Sequence, residues 1–206
     1  MEVTISDASI FNNQTGFRRA ELNPASNNGT DPSTSGLKTL HFSLMKDTAR
    51  PLNLSHEYQL TFLETADFST NQFALKTGTI LGGTGNISIA ADSLVMMGNV
   101  EKINVLFSTA FTENVWHNFG LVNDFTKNTT QVLYSTGSEA LTAVTAALPN
   151  DLSGRGEYHF GILKKPVDGG ADITKSGIQE SGINEGMIYG GVFEEDSSTG
   201  CVSLSA

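Results

Sequence analysis

Two short segments of the chain carry carboxylates in a pattern that could cut a glycosidic bond. Arg19 and Glu21 lie two residues apart in GFRRAEL, and Glu57 begins EYQLTFLE. Because successive side chains point to opposite faces of a strand, Arg19 and Glu21 share one face, and Glu57 points away from its strand's apolar residues. Glycoside hydrolysis needs one carboxyl that protonates the leaving oxygen and one that activates water or attacks. We therefore predict Glu21 and Glu57 as a catalytic pair.

Other polar side chains of the predicted strands could hold a sugar. Amides, imidazoles and guanidinium groups hydrogen-bond hydroxyl groups, and a pyranose ring packs its C–H face on aromatic rings. Tyr189 lies beside glycines in GMIYGGVF, where small residues would let a ligand approach. The predicted substrate-binding residues are Arg19, His41, Gln59, Gln72, His159 and Tyr189. An ordinary solvated sheet face would produce the same alternation, and for Trp116 a place in the core is the simpler interpretation.

Strands must position these side chains, and the sequence predicts many of them. Alternation with a period of two recurs along the chain, and pieces rich in Gly, Asn, Asp and Pro separate the runs. This pattern predicts an all-β antiparallel sandwich or barrel, formed as a single domain over residues 1–206. SEALTAVTAAL, over residues 138–148, instead predicts one short surface helix. The apolar residues assigned to the core are Leu40, Phe42, Leu44, Tyr58, Leu60, Phe62, Tyr158, Phe160 and Ile162.

Charge and missing motifs argue against several classes of function. The formal net charge is -10 and the sequence pI is near 4.7, so nucleic acid and acidic membrane surfaces are not expected partners. No run approaches the roughly 18 apolar residues that a membrane helix needs. The chain has no phosphate-binding glycine motif, no G-x-S-x-G, no H-E-x-x-H and no Cys–His cluster. We expect a monomer that binds a neutral ligand without a metal or cofactor.

Cysteine usage and glycosylation motifs bear on where the protein works. Cys201 is the only cysteine, which forbids an internal disulfide, and its simplest interpretation is a small buried apolar residue. The start, MEVTISDASIF, has no signal-peptide pattern, so a secreted form would have lost its signal. N-x-S/T motifs suit a secreted glycoprotein, although about three are expected by chance in a chain so rich in Ser and Thr. They begin at Asn13, Asn28, Asn53, Asn86 and Asn128.

Several longer segments, in collinear order, resemble the catalytic domain of glycoside hydrolase family 131. They run from about Phe17 to Glu194 and are GFRRAEL, LHFSL, ARPLNLSHEYQLTF, WHNFGLVNDF, QVLYSTG, GEYHFGILKKP and GIQESGINEGMIYGGVF. The resemblance implies a secreted fungal enzyme, folded as a curved β-jelly roll of the concanavalin type. It implies a β-glucan substrate with β-1,3, β-1,6 and β-1,4 linkages. It also implies that Glu21 and Glu57 are the acidic pair and that Arg19 and His159 lie in the cleft.

The resemblance leaves one departure and two alternatives. Family domains begin several dozen residues earlier, so we expect that their first strands, and a cysteine partner for Cys201, are missing. Because Arg19 favours the ionised form of Glu21, we expect Glu21 as base and Glu57 as acid in an inverting reaction. A glucan-binding module with the same groove would bind without hydrolysis. A polysaccharide lyase would need a uronic acid and a Tyr or His base.

Overall fold

Strands dominate the computed structural model, which describes residues 1–24, 32–99 and 104–205. Within these ranges the only helical structure is a short 3₁₀ turn at Pro32–Thr34. The strands are β1 (Glu2–Ser6), β2 (Arg18–Leu22), β3 (Leu37–Lys46), β4 (Glu57–Glu64), β5 (Asn71–Gly78), β6 (Ser93–Gly98), β7 (Val105–Ala110), β8 (His117–Asp124), β9 (Thr129–Thr136), β10 (Thr142–Ala143), β11 (Leu148–Pro149), β12 (Glu157–Lys164) and β13 (Asn184–Asp196).

The strands form two antiparallel sheets that pack face to face. The seven-stranded sheet has the order β1-β13-β3-β8-β9-β10, and β11 also pairs with β9. The six-stranded sheet has the order β2-β12-β4-β5-β6-β7. Strands that are distant in sequence lie side by side in both sheets, as in a jelly roll. The predicted antiparallel two-sheet sandwich is therefore confirmed.

The core lies between the two sheets and contains the predicted apolar residues. The predicted core residues of β3, β12 and the first half of β4 are almost fully buried, each with 3% exposure or less. They are Leu40, Phe42, Leu44, Tyr58, Leu60, Tyr158, Phe160 and Ile162. Phe62 is buried too, but it belongs to a separate small cluster with Phe17, Ala74 and Leu163. That cluster lies on the opposite face of the six-stranded sheet, away from the main core.

An irregularity in β4 explains why Phe62 points away from the main core. The pairing of β4 with β5 shifts register between Gln59 and Thr61. An extra residue in a strand reverses the faces of the residues that follow it. Gln59 and Phe62 consequently share the outward face, while Leu60 and Leu63 both point into the core. The simple alternation predicted for β4 holds only for its first half.

Tyr189 holds this irregular region from the opposite sheet. Its hydroxyl lies 2.8 Å from the carbonyl oxygen of Leu60 and 2.9 Å from that of Gly161, and it can donate to either. The bulge disrupts the ladder at this point, and a buried carbonyl without a donor would be costly. The Tyr189 side chain is 1% exposed and lies in the main core.

The helix predicted over residues 138–148 is wrong. This segment is extended and supplies β10 and β11, which both pair with β9. The Val144 N–H donates to the Val132 carbonyl at 3.0 Å, and the Val132 N–H donates to the Thr145 hydroxyl at 2.9 Å. Thr and Val suit extended backbone. Pairing with β9 thus outweighs the helix propensity of the alanines.

Two further expectations concern single residues and membrane spans. Cys201 is exposed, so the expectation of a buried apolar role is wrong. It follows the end of β13, in a segment without regular structure that packs only partly against the sheet. Asn28 lies outside the described residues. Within those residues, no helix has the length and apolar character to cross a membrane.

Candidate active site

A cleft of about 1320 Å³ crosses the face of the six-stranded sheet that points away from the core. β2, β12, β4 and β5 supply its polar side chains, because the residues that alternate with their core residues point into it. The charged and polar residues along its length include Arg19, Glu21, Asn23, Gln59, Glu64, Asn71, Lys76, Glu157, His159 and Lys165.

Glu21 is held from two sides in the middle of this cleft. Arg19 binds it in a bidentate ion pair, with Nε 3.0 Å from Oε1 and Nη2 2.5 Å from Oε2. His159 Nδ1 lies 2.9 Å from Glu21 Oε2. β2 and β12 approach closely here because Gly161 is opposite Glu21, and a Cβ at Gly161 would lie 2.2 Å from the Ala20 carbonyl oxygen. The predicted grouping of Arg19, Glu21 and His159 is present.

Glu64 lies on the other side of His159, and sequence reasoning missed it. Its Oε2 is 3.5 Å from Nε2 of the imidazole. The Glu64 side chain is 25% exposed, so it also reaches the solvent of the cleft. Glu64 follows the β4 irregularity, which turns it to the same face as Phe62. Simple alternation from Glu57 would have pointed it into the core, so no local signal in the sequence identified it.

His159 is fixed between the two carboxylates by a ring below it. Phe62 stacks on the imidazole with 4.3 Å between ring centres and an interplanar angle of 7°. Burial lowers the pKa of His159, but its hydrogen bonds to Glu21 and Glu64 outweigh burial and raise the pKa above its ordinary value. The raised pKa favours the protonated imidazole, in which Nδ1 donates to Glu21 and Nε2 faces Glu64.

The same contacts determine the ionisation of Glu21. Burial raises the pKa of this carboxyl, but the hydrogen bonds from His159 and Arg19 outweigh burial and keep the pKa below its ordinary value. Glu21 is consequently ionised at neutral pH. An ionised carboxylate in a cleft can activate water or attack a sugar carbon, but it cannot protonate a leaving group.

Glu57 has a different environment from the one that the sequence predicts. Its side chain is fully buried, below the ammonium groups of Lys76 at 3.1 Å and Lys165 at 2.6 Å. The Leu81 N–H also donates to Glu57 Oε2 at 2.7 Å. Burial raises the pKa of Glu57, but Lys76 and Lys165 outweigh burial and lower the pKa. The structure thus gives Glu57 the ionised state of a buried counter-ion, where the sequence predicts a protonated acid open to the cleft.

The predicted glutamines differ in how close they come to the cleft. Gln59 lines the cleft, where its Oε1 accepts a hydrogen bond from Asn71 at 3.1 Å. Gln72 is fully buried and does not line the cleft. Its Oε1 accepts the Gly154 N–H at 2.9 Å, so it holds a neighbouring loop. The prediction of Gln72 as a substrate-binding residue is therefore not supported by its position.

His41 and Tyr189 lie away from the cleft, and their predicted placement there is wrong. Both belong to the seven-stranded sheet, in β3 and β13. His41 points out of that sheet, stacks on Phe193 and bonds Glu195 at 2.8 Å. Tyr189 points into the core, as described above. The glycine beside it lies against a side chain, since Trp116, which is half-buried, is 3.4 Å from the place of a Cβ on Gly190.

Among the described residues, no group of three or more His, Cys, Asp or Glu side chains is arranged to hold a metal ion. The cleft is instead a row of hydrogen-bonded acids and bases across a sheet. Its polar groups suit a ligand rich in hydroxyl groups.

Comparison with known proteins identifies the family. Residues 1–200 match the family model of the glycoside hydrolase 131 catalytic N-terminal domain. The chain belongs to glycoside hydrolase family 131. This family 131 domain is therefore a glycoside hydrolase catalytic domain, and the resemblance seen in the sequence is confirmed.

Two solved structures of the family resemble this domain over nearly its whole length. The catalytic domain of a family 131 β-glucanase from Podospora anserina has a TM-score of 0.77 and 26% sequence identity. The match covers 99% of this chain and 73% of that one. The catalytic domain of a family 131 protein from Coprinopsis cinerea has a TM-score of 0.74 and 21% identity, with coverage of 100% and 72%, and supports the fold. No curated protein matches the chain.

Proposed function

We propose that this family 131 domain hydrolyses β-glucans with β-1,3, β-1,6 or β-1,4 linkages. The observation that carries the proposal is the row formed by Glu21, His159 and Glu64 in the cleft. The substrate class follows the similarity to the Podospora anserina β-glucanase domain. A cleft that is open along a sheet can accept a polymer, and its amides and charged groups can bind sugar hydroxyls.

In the proposed mechanism, Glu21 and Glu64 divide the two tasks of glycoside hydrolysis. Glu21 is ionised and acts as the base that activates water, as the sequence suggests. Glu64 takes up a proton from the solvent of the cleft, gives it to the leaving oxygen and is left as a carboxylate. His159 donates to Glu21 through Nδ1, and its Nε2, 3.5 Å away, positions the carboxyl of Glu64. Glu57 stays a prediction as the second carboxyl, but its two lysine partners and its burial favour Glu64 in that role.

We propose an inverting reaction because a cleft that is open along a sheet leaves room for a water molecule beside Glu21, and the spacing of the two carboxylates permits it. Glu21 Oε2 is 2.9 Å from Nδ1 and Glu64 Oε2 is 3.5 Å from Nε2 of the same ring. Since the two ring nitrogens are about 2.2 Å apart and face different directions, these oxygens are separated by at most about 8.6 Å. Inverting enzymes hold their carboxyls roughly 6.5–9.5 Å apart so that water fits, whereas retaining enzymes hold them about 5–5.5 Å apart.

We also propose that the enzyme works outside the cell. A polysaccharide is too large to be taken up intact, so its hydrolysis requires a secreted enzyme. The N-x-S/T motifs in the chain agree with secretion.

The proposal is tested by hydrolysis of laminarin, lichenan and pustulan, with reducing ends as the readout. We expect the unaltered domain to cut at least one of them, and E21Q and E64Q each to lose about 10²–10⁴ in rate. E157Q is the matched control, because Glu157 also lines the cleft and pairs with Glu64 across β12 and β4. It should stay within a few fold of the unaltered domain.

Different outcomes contradict different parts of the proposal. Binding of glucan without hydrolysis by the unaltered domain would identify a glucan-binding module. Full activity of E64Q would remove Glu64 as the acid. NMR of the first product formed gives its anomeric configuration, and retention would reject the inverting mechanism while leaving the pair itself in place.

A further inference from the structure

Two exposed aromatic rings line the cleft, and the row of acids and bases does not use them. Phe11 is 55% exposed and Phe68 is 65% exposed, and both border the cleft. Among the phenylalanines of the described residues, the only other exposed one is Phe193, on the outward face of the seven-stranded sheet. Exposed rings of this size gain little from burial, and two of them bordering one cleft give a ligand apolar surface to pack on.

Phe68 is exposed at a conformational cost. It lies in the turn between β4 and β5 with a φ of 59°, a conformation that bulky residues rarely adopt. The Asp67 carboxylate fixes this turn by accepting hydrogen bonds from the Thr65 hydroxyl at 2.7 Å and from the Ser69 N–H at 3.1 Å. A glycine would fit the same backbone without strain. The sequence instead presents a large apolar ring at the cleft, on a fixed support.

Phe11 contacts Arg19, the partner of Glu21, through a cation–π interaction. The guanidinium carbon of Arg19 lies 5.6 Å from the centre of the Phe11 ring. Arg19 also donates to Gln14 Oε1 at 3.1 Å, so the loop that carries Phe11 is attached to the residue that holds Glu21. The ring remains more than half exposed despite this contact.

The two rings lie at opposite ends of the row. Arg19, which contacts Phe11, binds Glu21, and Glu21 contacts one nitrogen of His159. Glu64 contacts the other nitrogen, and Phe68 follows Glu64 by four residues in the adjoining turn. A polymer that packs on both rings must therefore pass over the carboxylates that lie between them.

We infer that Phe11 and Phe68 are sugar-stacking platforms of two subsites on opposite sides of the bond that is cut. This inference deepens the proposed function and rests on it. The C–H face of a pyranose packs on an aromatic face, and both rings are available for that contact. Subsites on both sides hold the glucan across the carboxylates, so that a sugar unit is fixed on each side of the bond when it is cut.

The test measures binding separately from turnover. Calorimetry on E21Q with a glucan hexasaccharide reports affinity, and F11A, F68G and F193A are added to that background. We expect F11A and F68G each to weaken binding about tenfold, as loss of a ring face from contact with a sugar implies. F193A, which removes an exposed ring outside the cleft, should leave affinity unchanged. In the active enzyme, F11A and F68G should raise KM for polysaccharide more than they lower kcat.

Melting temperature distinguishes a binding role from a structural one. F68G removes a strained and exposed ring, so we expect its melting temperature to equal or exceed that of the parent. A fall of several degrees would assign Phe68 to folding and overturn the inference for it. If affinity is unchanged in both F11A and F68G while the unaltered domain still cuts polysaccharide, the inference about the two rings is overturned and the proposed function stands. Ring-dependent binding without any hydrolysis would support the platforms and reject the proposed function.

Discussion

Replacing Glu57 with glutamine removes the negative charge that two largely buried ammonium groups share. Lys76 and Lys165 both lie within 3.1 Å of Glu57 Oε1, and each lysine side chain is only 14% exposed. The glutamine side chain would keep the volume and could still accept the Leu81 N–H. It would leave two positive charges close together without a counter-ion. We therefore expect E57Q to act on stability far more than on catalysis.

The size of the effect follows from the burial of the pair. Removing one partner of a buried ion pair costs about 3–5 kcal/mol, because the remaining charge is left desolvated and unpaired. The lysines keep some contact with water, so the lower end, about 3 kcal/mol, is the appropriate value. In a chain of this length each kcal/mol lowers the melting temperature by about 2–4 °C, so we expect a fall of about 6–12 °C.

Thermal unfolding and activity below the melting transition provide the assay. Per folded molecule, E57Q should keep its kcat/KM within about threefold, whereas loss of a general acid would cost about 10²–10⁴. The double variant E57Q/K76M is the control, and it should recover part of the lost stability because it removes one of the two unpaired positive charges. A loss of about 1 kcal/mol would already lower the melting temperature by about 2 °C. A smaller change than this, together with lost activity, would refute this reasoning and restore Glu57 as the catalytic acid.

Two further predictions concern pH and the β4 irregularity. Glu21 has a lowered pKa, so its contribution to stability is present above about pH 4.5 and is lost as the pH falls through its pKa in the folded protein. His159 has a raised pKa, so its contribution is complete below about pH 6.5 and is lost as the pH rises through its pKa in the folded protein. The stability difference between the parent and H159N should therefore be largest between these pH values in urea titrations, and a difference that does not vary with pH would contradict the assignment. Y189F should lower the free energy of unfolding by about 1–3 kcal/mol, because the buried carbonyls of Leu60 and Gly161 lose the hydroxyl that can donate to either of them. An unchanged urea midpoint would show that another group satisfies them.

The sequence predicts side-chain faces well where the strands pair regularly. β2 and β12 pair without a register shift, so alternation placed Arg19, Glu21 and His159 correctly on one face. The core residues of β3 and β12 were predicted from the uninterrupted alternation of these two strands, although β12 shifts register against β4 and β13 against β3. In these strands the period of two is a local property, and no distant contact is needed to know it.

Alternation cannot tell which sheet a strand joins. His41 and Tyr189 have the local surroundings of cleft residues, but β3 and β13 pair with each other in the seven-stranded sheet. That choice depends on contacts between distant parts of the chain. The glycine at position 190 was similarly ambiguous, because in the structure it lies against the side chain of Trp116 and not against the cleft. The misassigned helix over 138–148 has the same origin, since only β9 makes the extended form favourable there.

The irregularity in β4 determines the composition of the active site. In a regular strand, Leu63 would face the cleft and Glu64 would enter the core, where a carboxylate without a partner is very costly. The register shift instead brings Phe62 below His159 and Glu64 beside it. Tyr189 stabilises the irregularity from inside the core by bonding the Leu60 carbonyl. The packing of the two sheets therefore fixes the spacing of Glu21, His159 and Glu64. Changes in the core at Tyr189 should alter the chemistry of a cleft that Tyr189 does not line.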